Sequence, residues 1–213
     1  MVLDALLGEH GVEEILVLRS GAVGFLALHG GSQERRTEVI AEDAASRSGA
    51  SLYAIVQPRG LQWHIPSEKH DPALAPRLRA FLDHVEVVIS IHGYGHDAWW
   101  IARDAPRRVR PPDLQRCVDM QAFLVGGANR ALADRIAEAL GREVPDYPVL
   151  VGSDVPRGMA AQHPANPVNA TRGGGAQVEV PAGARGLLPG RAPRVAEVCC
   201  ALSAVAADLT KAA

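Results

Sequence analysis

The sequence predicts an α/β fold, a single domain over residues 1–213 built on a mixed, mostly parallel sheet flanked by helices. Three observations carry that expectation. Short apolar runs bounded by turn residues alternate with stretches of helical spacing along most of the chain. Some of these runs, such as residues 85–91, are apolar nearly throughout, as strands covered on both faces must be. A length of 213 residues is enough for one core without disulfide or metal staples.

Taken in order, residues 2–12 read as a short helix or arm and residues 15–18 as a first strand, apolar and β-branched. Residues 24–29 form a second apolar run ending at His29. Thr37 is placed to cap a helix reaching about Arg47, with Val39, Ile40, Ala44 and Ala45 as its apolar stripe. Residues 51–56 return as a strand, and residues 63–65 as a short edge segment. Asp71-Pro72 reads as a helix start, an acid at the cap and proline at the first helical position, after which Leu74, Leu78, Phe81 and Leu82 recur at helical spacing. Residues 85–91 then form the strand that ends in His92-Gly93.

Residues 98–102 are a further apolar stretch. Residues 103–112 are a basic, proline-containing loop whose Arg107, Arg108 and Arg110 read first as solvated and second as an anion-binding patch. Residues 123–125 are a strand, and Gly126-Gly127-Ala128-Asn129 leads into a helix with Leu132, Ile136 and Leu140 on one face and Gly141 as its stop. That glycine pair lacks the third glycine and the ribose-binding acid of a dinucleotide fingerprint. Residues 145–151 contain another strand. Residues 152–175, rich in Pro, Gly, Asn and Arg and without periodicity, form a long loop, and loops of that length in compact domains are functional or disordered. Residues 176–180 alternate as a strand. Pro193 opens a closing helix with Val195, Val198, Cys199, Leu202, Val205 and Leu209 along one stripe.

Composition narrows the function. A formal net charge of -2 with mixed signs leaves no basic footprint for nucleic acid and no polybasic patch for a membrane, so a small or peptide-like partner is expected. The three cysteines, Cys117, Cys199 and Cys200, form neither a disulfide framework nor a zinc-ribbon spacing and read as buried thiols in a reducing compartment. Asp4, Glu9, His10, Glu13 and Glu14 near the start rule out the basic and apolar regions of a secretory signal. With no apolar run of membrane-spanning length, a cytoplasmic location is the expectation.

Two apolar runs end in His-Gly, at His29-Gly30 and His92-Gly93. In an open α/β sheet the carboxyl ends of the strands frame the ligand crevice, so both imidazoles would open onto one edge. Gly30 and Gly31 let the backbone double back, which could bring Glu34 to the same point although its spacing from His29 fits neither a helix face nor a strand face. A lone histidine at a strand end is more often a plain surface or core residue. Two of them with a carboxylate give three donors and a free fourth position, the arrangement of a catalytic zinc site. Glu179 is the candidate general base, because Val178 and Val180 would face the core while Gln177 and Glu179 face the other side; an edge-strand glutamate in water is the alternative. His96, four residues after His92, is a further candidate for touching substrate or replacing a ligand. His10, His64, His70, His84 and His163 read as surface or satisfied histidines.

Several pieces in the same order resemble the poly-γ-glutamate hydrolase family, zinc peptidases of phage and bacterial origin related to the carboxypeptidase fold. They are His29-Gly30-Gly31 with Glu34, Thr37 and Glu38; Ser51-Leu52-Tyr53; His64-Ile65 with Ser67; Ile89-Ser90-Ile91-His92-Gly93; Val125-Gly126-Gly127 with Asn129, Asn166 and Asn169; and residues 175–179 with Arg185. The resemblance implies a zinc carboxypeptidase-like sheet, Zn2+ on His29, Glu34 and His92, and Glu179 as catalytic base. It also implies substrate carboxylates held from the late loop and strand, where Arg172 and Arg185 are the available arginines and Asn169 a polar neighbour. Arg36 departs from the pattern, standing where glycine is usual before Thr37; beside the metal loop it could narrow the cleft or bind an acid group. The leading expectation is a zinc-dependent hydrolase of amide bonds in a γ-glutamyl polymer or related acidic peptide. A zinc amidase or deacylase acting on cell-wall peptides or N-acyl amino acids is the second, and a non-catalytic domain that binds an acidic ligand is the third.

Overall fold

In the computed structural model, which describes residues 2–95 and 112–212, the apolar runs pair into one seven-stranded sheet. In chain order the strands are β1 (Glu13–Val17), β2 (Val23–Gly31), β3 (Ser51–Gln57), β4 (Val87–Tyr94), β5 (Phe123–Gly126), β6 (Val149–Val151) and β7 (Gly175–Pro181). Their spatial order is β1-β3-β2-β4-β7-β5-β6. β3, β2, β4 and β7 run parallel to one another. At one edge β1 is antiparallel to β3, and on the other side β5, parallel to β6, is antiparallel to β7. The sheet is therefore mixed and mostly parallel, as the sequence predicts.

Among the described residues, six α-helices cover it: α1 (Leu3–Leu7), α2 (Thr37–Ser48), α3 (Pro76–His84), α4 (Pro112–Met120), α5 (Arg130–Glu143) and α6 (Val195–Ala212). One face packs against α2, α5 and α6, where Phe25, Ala27, Ile89, Ile91, Val178 and Val180 meet Ile40, Ile136 and Leu202. On the other face Leu26, Leu28 and Val88 meet Leu3, Leu6 and Phe81 of α1 and α3, and Leu124 meets Leu114 and Cys117 of α4. The period-2 alternation of the central strands sorts side chains between these two cores.

β2 breaks its alternation at one point, and the break positions the site. Ala27 pairs with Ala54 and Gly30 with Val56, so β2 holds one residue more than β3 across this step. Such a bulge shifts the phase of everything after it. Strict alternation would turn His29 to the same face as Ala27; with the extra residue, Gly30 instead faces α2, where a Cβ would lie 2.8 Å from Glu38 Cβ. Leu28 and His29 are consequently both turned to the opposite face. Gly31 then takes φ 71° so close to β3 that a Cβ would lie 2.1 Å from the Gln57 carbonyl oxygen.

Several local expectations are corrected. Thr37 is the first residue of α2 rather than its cap; the residue before it is Arg36, at φ 73°, with no side-chain cap. The Thr37 hydroxyl instead donates back to the Glu34 carbonyl at 2.9 Å, tying the helix to the loop. Val39 is exposed, and Ala41 takes its place in the buried stripe. Asp71 organises a turn by accepting from the Ala73 amide at 2.8 Å, and α3 begins at the next proline, Pro76, which is also why Leu74 remains exposed. Residues 63–65 form no strand. Gly141 lies inside α5, which ends at Glu143, because one glycine costs a helix only about 1 kcal/mol and the flanking Leu140 and Val144 are buried. Cys117 and Cys199 are buried, but Cys200 is exposed. The apolar stretch at residues 98–102 and the arginines Arg107, Arg108 and Arg110 lie outside the described residues. None of the described helices is long and apolar enough to cross a membrane.

Gly31 and Gly49 share a φ of 71° but differ in surroundings, since a Cβ at Gly49 meets nothing within 4 Å. Gly49→Ala should therefore cost only the left-handed backbone penalty, about 1–2 kcal/mol. Gly31→Ala should cost clearly more, because the methyl group must also displace β3. Urea unfolding of the two variants beside the wild type measures the difference.

Candidate active site

The carboxyl ends of β2 and β4 and the middle of β7 bring His29, His92 and Glu179 to one place. His92 and Glu179 are register partners on adjacent parallel strands. Glu34 reaches them from the turn after β2, where its amide donates to the His29 carbonyl at 2.7 Å. Its carboxylate is buried, and its two oxygens face different rings: Oε1 lies 3.0 Å from His29 Nδ1, and Oε2 lies 3.3 Å from His92 Nδ1. The Gly93 amide also donates to Oε2 at 2.9 Å.

This geometry tests whether the residues suit a metal. His29 Nε2 lies 2.8 Å from the Ile65 carbonyl, an acceptor only, so a ring bearing one proton holds it on Nε2. Nδ1 then presents a lone pair to a carboxylate oxygen. Two acceptors in contact repel unless a cation lies between them, either a proton on the ring or a metal ion. The separations of 3.0 and 3.3 Å approach the roughly 3.4 Å edge of a tetrahedron whose bonds are about 2.0–2.2 Å long. A carbonyl on the far nitrogen of a ligating histidine is also the usual support for such a site. His92 Nε2 is buried without a hydrogen-bond partner among the described residues. The donor set fits a divalent metal of the zinc type.

Electrostatics separates the two carboxylates. Burial disfavours the Glu34 charge, but the imidazoles of His29 and His92 outweigh it and hold this carboxyl well below its usual pKa. Burial pushes the Glu179 carboxyl up to about 7; the nearby Glu34 charge adds to the rise, while His92, Arg185 and a hydrogen bond from Gln177 oppose it. That bond runs from Gln177 Nε2 to Glu179 Oε1 at 2.8 Å.

These groups open into a cavity of about 330 Å³. Ser67, Glu68 and His64 line one wall, and Arg157, His163 and Asn166 of the long loop line another. The remaining sequence candidates fall elsewhere. Arg185 is not a free anchor: its side chain is buried, and its guanidinium donates to the carbonyls of Val180 (3.1 Å), Arg35 (2.9 Å) and Tyr94 (2.8 Å). Arg172 is exposed at the opposite end of the strands, 3.9 Å from Glu86, just before β4 begins. Asn169 is a loop clamp, accepting from the Ala128 amide and donating to the carbonyls of Ala161 and His163. Arg36 turns away from the cavity and donates to the Arg185 carbonyl at 2.9 Å. His96 lies outside the described residues.

Sequence reasoning missed Arg157 and His64. Arg157 sits in an aperiodic loop where no spacing singles out one arginine, although Pro156 and Gly158 beside it mark the turn that presents it. His64 reads as a surface or satisfied histidine, and it is exposed; what the residues did not announce, although His64-Ile65 belongs to the family resemblance, is that its ring centroid lies 5.0 Å from that of His29.

The sequence pattern of the family described as poly-γ-glutamate hydrolase matches residues 14–102 and 117–191. The chain belongs to this family. No curated protein matches it in sequence. Among solved structures, a bacteriophage poly-γ-glutamate hydrolase shares the fold with a TM-score of 0.70 at 20% identity, over 95% of this chain and 91% of the other. A zinc-free form of YndL does so with a TM-score of 0.68 at 23% identity, over 91% and 88% of the two chains. At such identities the likeness concerns the fold, and both relatives are matched over nearly their whole length.

The contrast between the two arginines is open to measurement. Arg185→Met should lower the unfolding free energy by at least about 3 kcal/mol, since each buried carbonyl left without a donor costs about 1–3 kcal/mol. Arg172→Ala should stay within about 0.5 kcal/mol of wild type, as expected for an exposed pair. Denaturant titration of both variants gives the two values.

Proposed function

We propose that the chain is a zinc-dependent hydrolase that cleaves γ-glutamyl amide bonds in poly-γ-glutamate or a related acidic peptide. The observation that carries this reading is geometric: the buried Glu179 carboxyl, which desolvation pushes up to about 7, lines the same cavity as the His29, Glu34 and His92 donor set. Family membership and the fold shared with a bacteriophage poly-γ-glutamate hydrolase support the substrate class. His29, Glu34 and His92 would hold the metal. When bound, zinc supplies a Lewis acid and lowers the pKa of water toward neutrality.

The other roles belong to the chain itself. Glu34 stays ionised, because its neighbours hold its pKa low. Glu179 is the proton carrier: as carboxylate it accepts a proton from the attacking water, and as the acid it delivers that proton to the leaving amine. Two carboxyls whose environments drive their pKa values apart mark such a division of labour. Gln177 orients Glu179 through its hydrogen bond. Arg157, exposed on the cavity wall, is the arginine among the described residues that we assign to a substrate carboxylate, and a γ-linked polymer carries one on every residue. A guanidinium binds such a group through two parallel hydrogen bonds.

Glu179→Gln preserves size and polarity but removes the proton acceptor. Its fold and zinc content should match wild type while kcat for γ-glutamyl hydrolysis falls by about 10²–10⁴. Elemental analysis beside steady-state kinetics checks both halves, and a variant that keeps most of its turnover would exclude Glu179 as the base. Wild-type protein that binds zinc without any turnover of γ-glutamyl or other amide substrates would favour a binding domain instead. Arg157→Ala should weaken acidic substrates by about 1.5–3 kcal/mol in kcat/KM and leave neutral amides little changed. Equal losses on both would remove Arg157 from the anchoring role.

A further inference from the structure

Glu34 is surrounded by more imidazole than a three-donor site requires. Candidate ligand atoms of His29, Glu34 and His64 all lie within 4.8 Å of one another. His64 differs from the other donors in being exposed, whereas His29, Glu34 and His92 are buried. It lies on a segment without regular structure, yet the backbone on both sides of it is fixed. On one side the Gln57 side chain donates to the Trp63 carbonyl and accepts from the Trp63 amide, both at 2.8 Å. On the other, the Ile65 carbonyl lies 2.8 Å from His29 Nε2, and the Pro66 carbonyl lies 3.3 Å from His70 Nδ1. Gln57, Ile65 and His70 are all buried. The fold thus holds residue 64 against the donor set, and one of the clamps is the far nitrogen of a donor.

From this geometry, and resting on the metal reading of the site, we infer that His64 is a fourth, exchangeable donor. It closes the coordination sphere in the resting protein and yields its position to substrate. Atoms lying within 4.8 Å of one another are within a small side-chain adjustment of the roughly 3.4 Å edge of a closed tetrahedron. His64 is exposed and lines the cavity, so a ligand entering the cavity can reach it. The exchange moves no electrons: one neutral donor leaves as another arrives. A metal with four permanent protein donors would be structural, whereas one with a displaceable fourth stays available for chemistry.

The test uses intact protein stripped of metal, wild type and His64→Ala, and two titrations. In the first, zinc is titrated against a chromophoric chelator. Loss of a mere supporting partner costs about 10–100-fold in metal affinity, so loss of a donor should weaken zinc at least about tenfold while stoichiometry stays at one per chain. In the second, acetohydroxamate is titrated into the zinc-loaded proteins. It must displace His64 from the wild type but only water from His64→Ala, so its affinity should rise in the variant. Opposite signs in the two titrations are the signature of an exchangeable donor, and cobalt substitution should show a changed visible spectrum in His64→Ala. Unchanged zinc affinity, or hydroxamate binding that weakens or stays level, overturns the proposal. Failure of the wild type itself to bind zinc overturns the metal reading as well, and is recognised separately because it appears without any substitution.

Discussion

A buried carboxylate is the constraint around which the rest of this structure is arranged. Glu34 is almost wholly buried, and an isolated charge in such a place costs several kcal/mol. Its stability comes from two imidazoles and one backbone amide, and these belong to different strands. His29 is at the end of β2, while His92 and Gly93 are at the end of β4. Each contact therefore requires that β2 and β4 be paired in register and that the turn after β2 be tight. The bulge between Ala27 and Gly30, the left-handed Gly31 and the Thr37 hydroxyl on the Glu34 carbonyl all serve to bring this one side chain to that point.

The surrounding charges follow from the same constraint. With Glu34 ionised, a second carboxylate close by is disfavoured, and this adds to the burial that raises Glu179. Two glutamates on one sheet edge thus acquire different acidities from position alone. Arg185, buried behind them, offsets part of the concentrated negative charge without entering the cavity. It shapes the field at the site while its own donors are taken by backbone carbonyls.

Much of the arrangement was legible in the sequence because it rests on short-range rules. The apolar runs and their alternation announced the central strands, and two of those runs ending in His-Gly announced the sheet edge where His29 and His92 meet. The alternation around Glu179 placed it off the core face, which the packing of Val178 and Val180 bears out. What failed to show depends on where loops travel in space. Arg172 and Arg185 lie on either side of β7's start and end, so proximity in sequence to Glu179 put both near the site. Strand direction carries Arg172 to the far edge, and desolvation makes Arg185 bond to backbone. Arg157 and His64 reach the cavity from loops whose course no periodicity encodes. The departure at Arg36 also acquires a physical meaning, since its φ of 73° is the conformation for which glycine is usual.

The single guanidinium of Arg185 has a consequence for how this protein moves. Its three acceptors are Val180 at the end of β7, Tyr94 at the end of β4 and Arg35 in the loop beside Glu34. These segments are far apart in the chain, and none can leave its place without stranding the same buried charge. Local opening of one is therefore coupled to opening of the others, and they form a single cooperative unit. The backbone behind Glu34, His92 and Glu179 is thereby held as one piece by a single side chain.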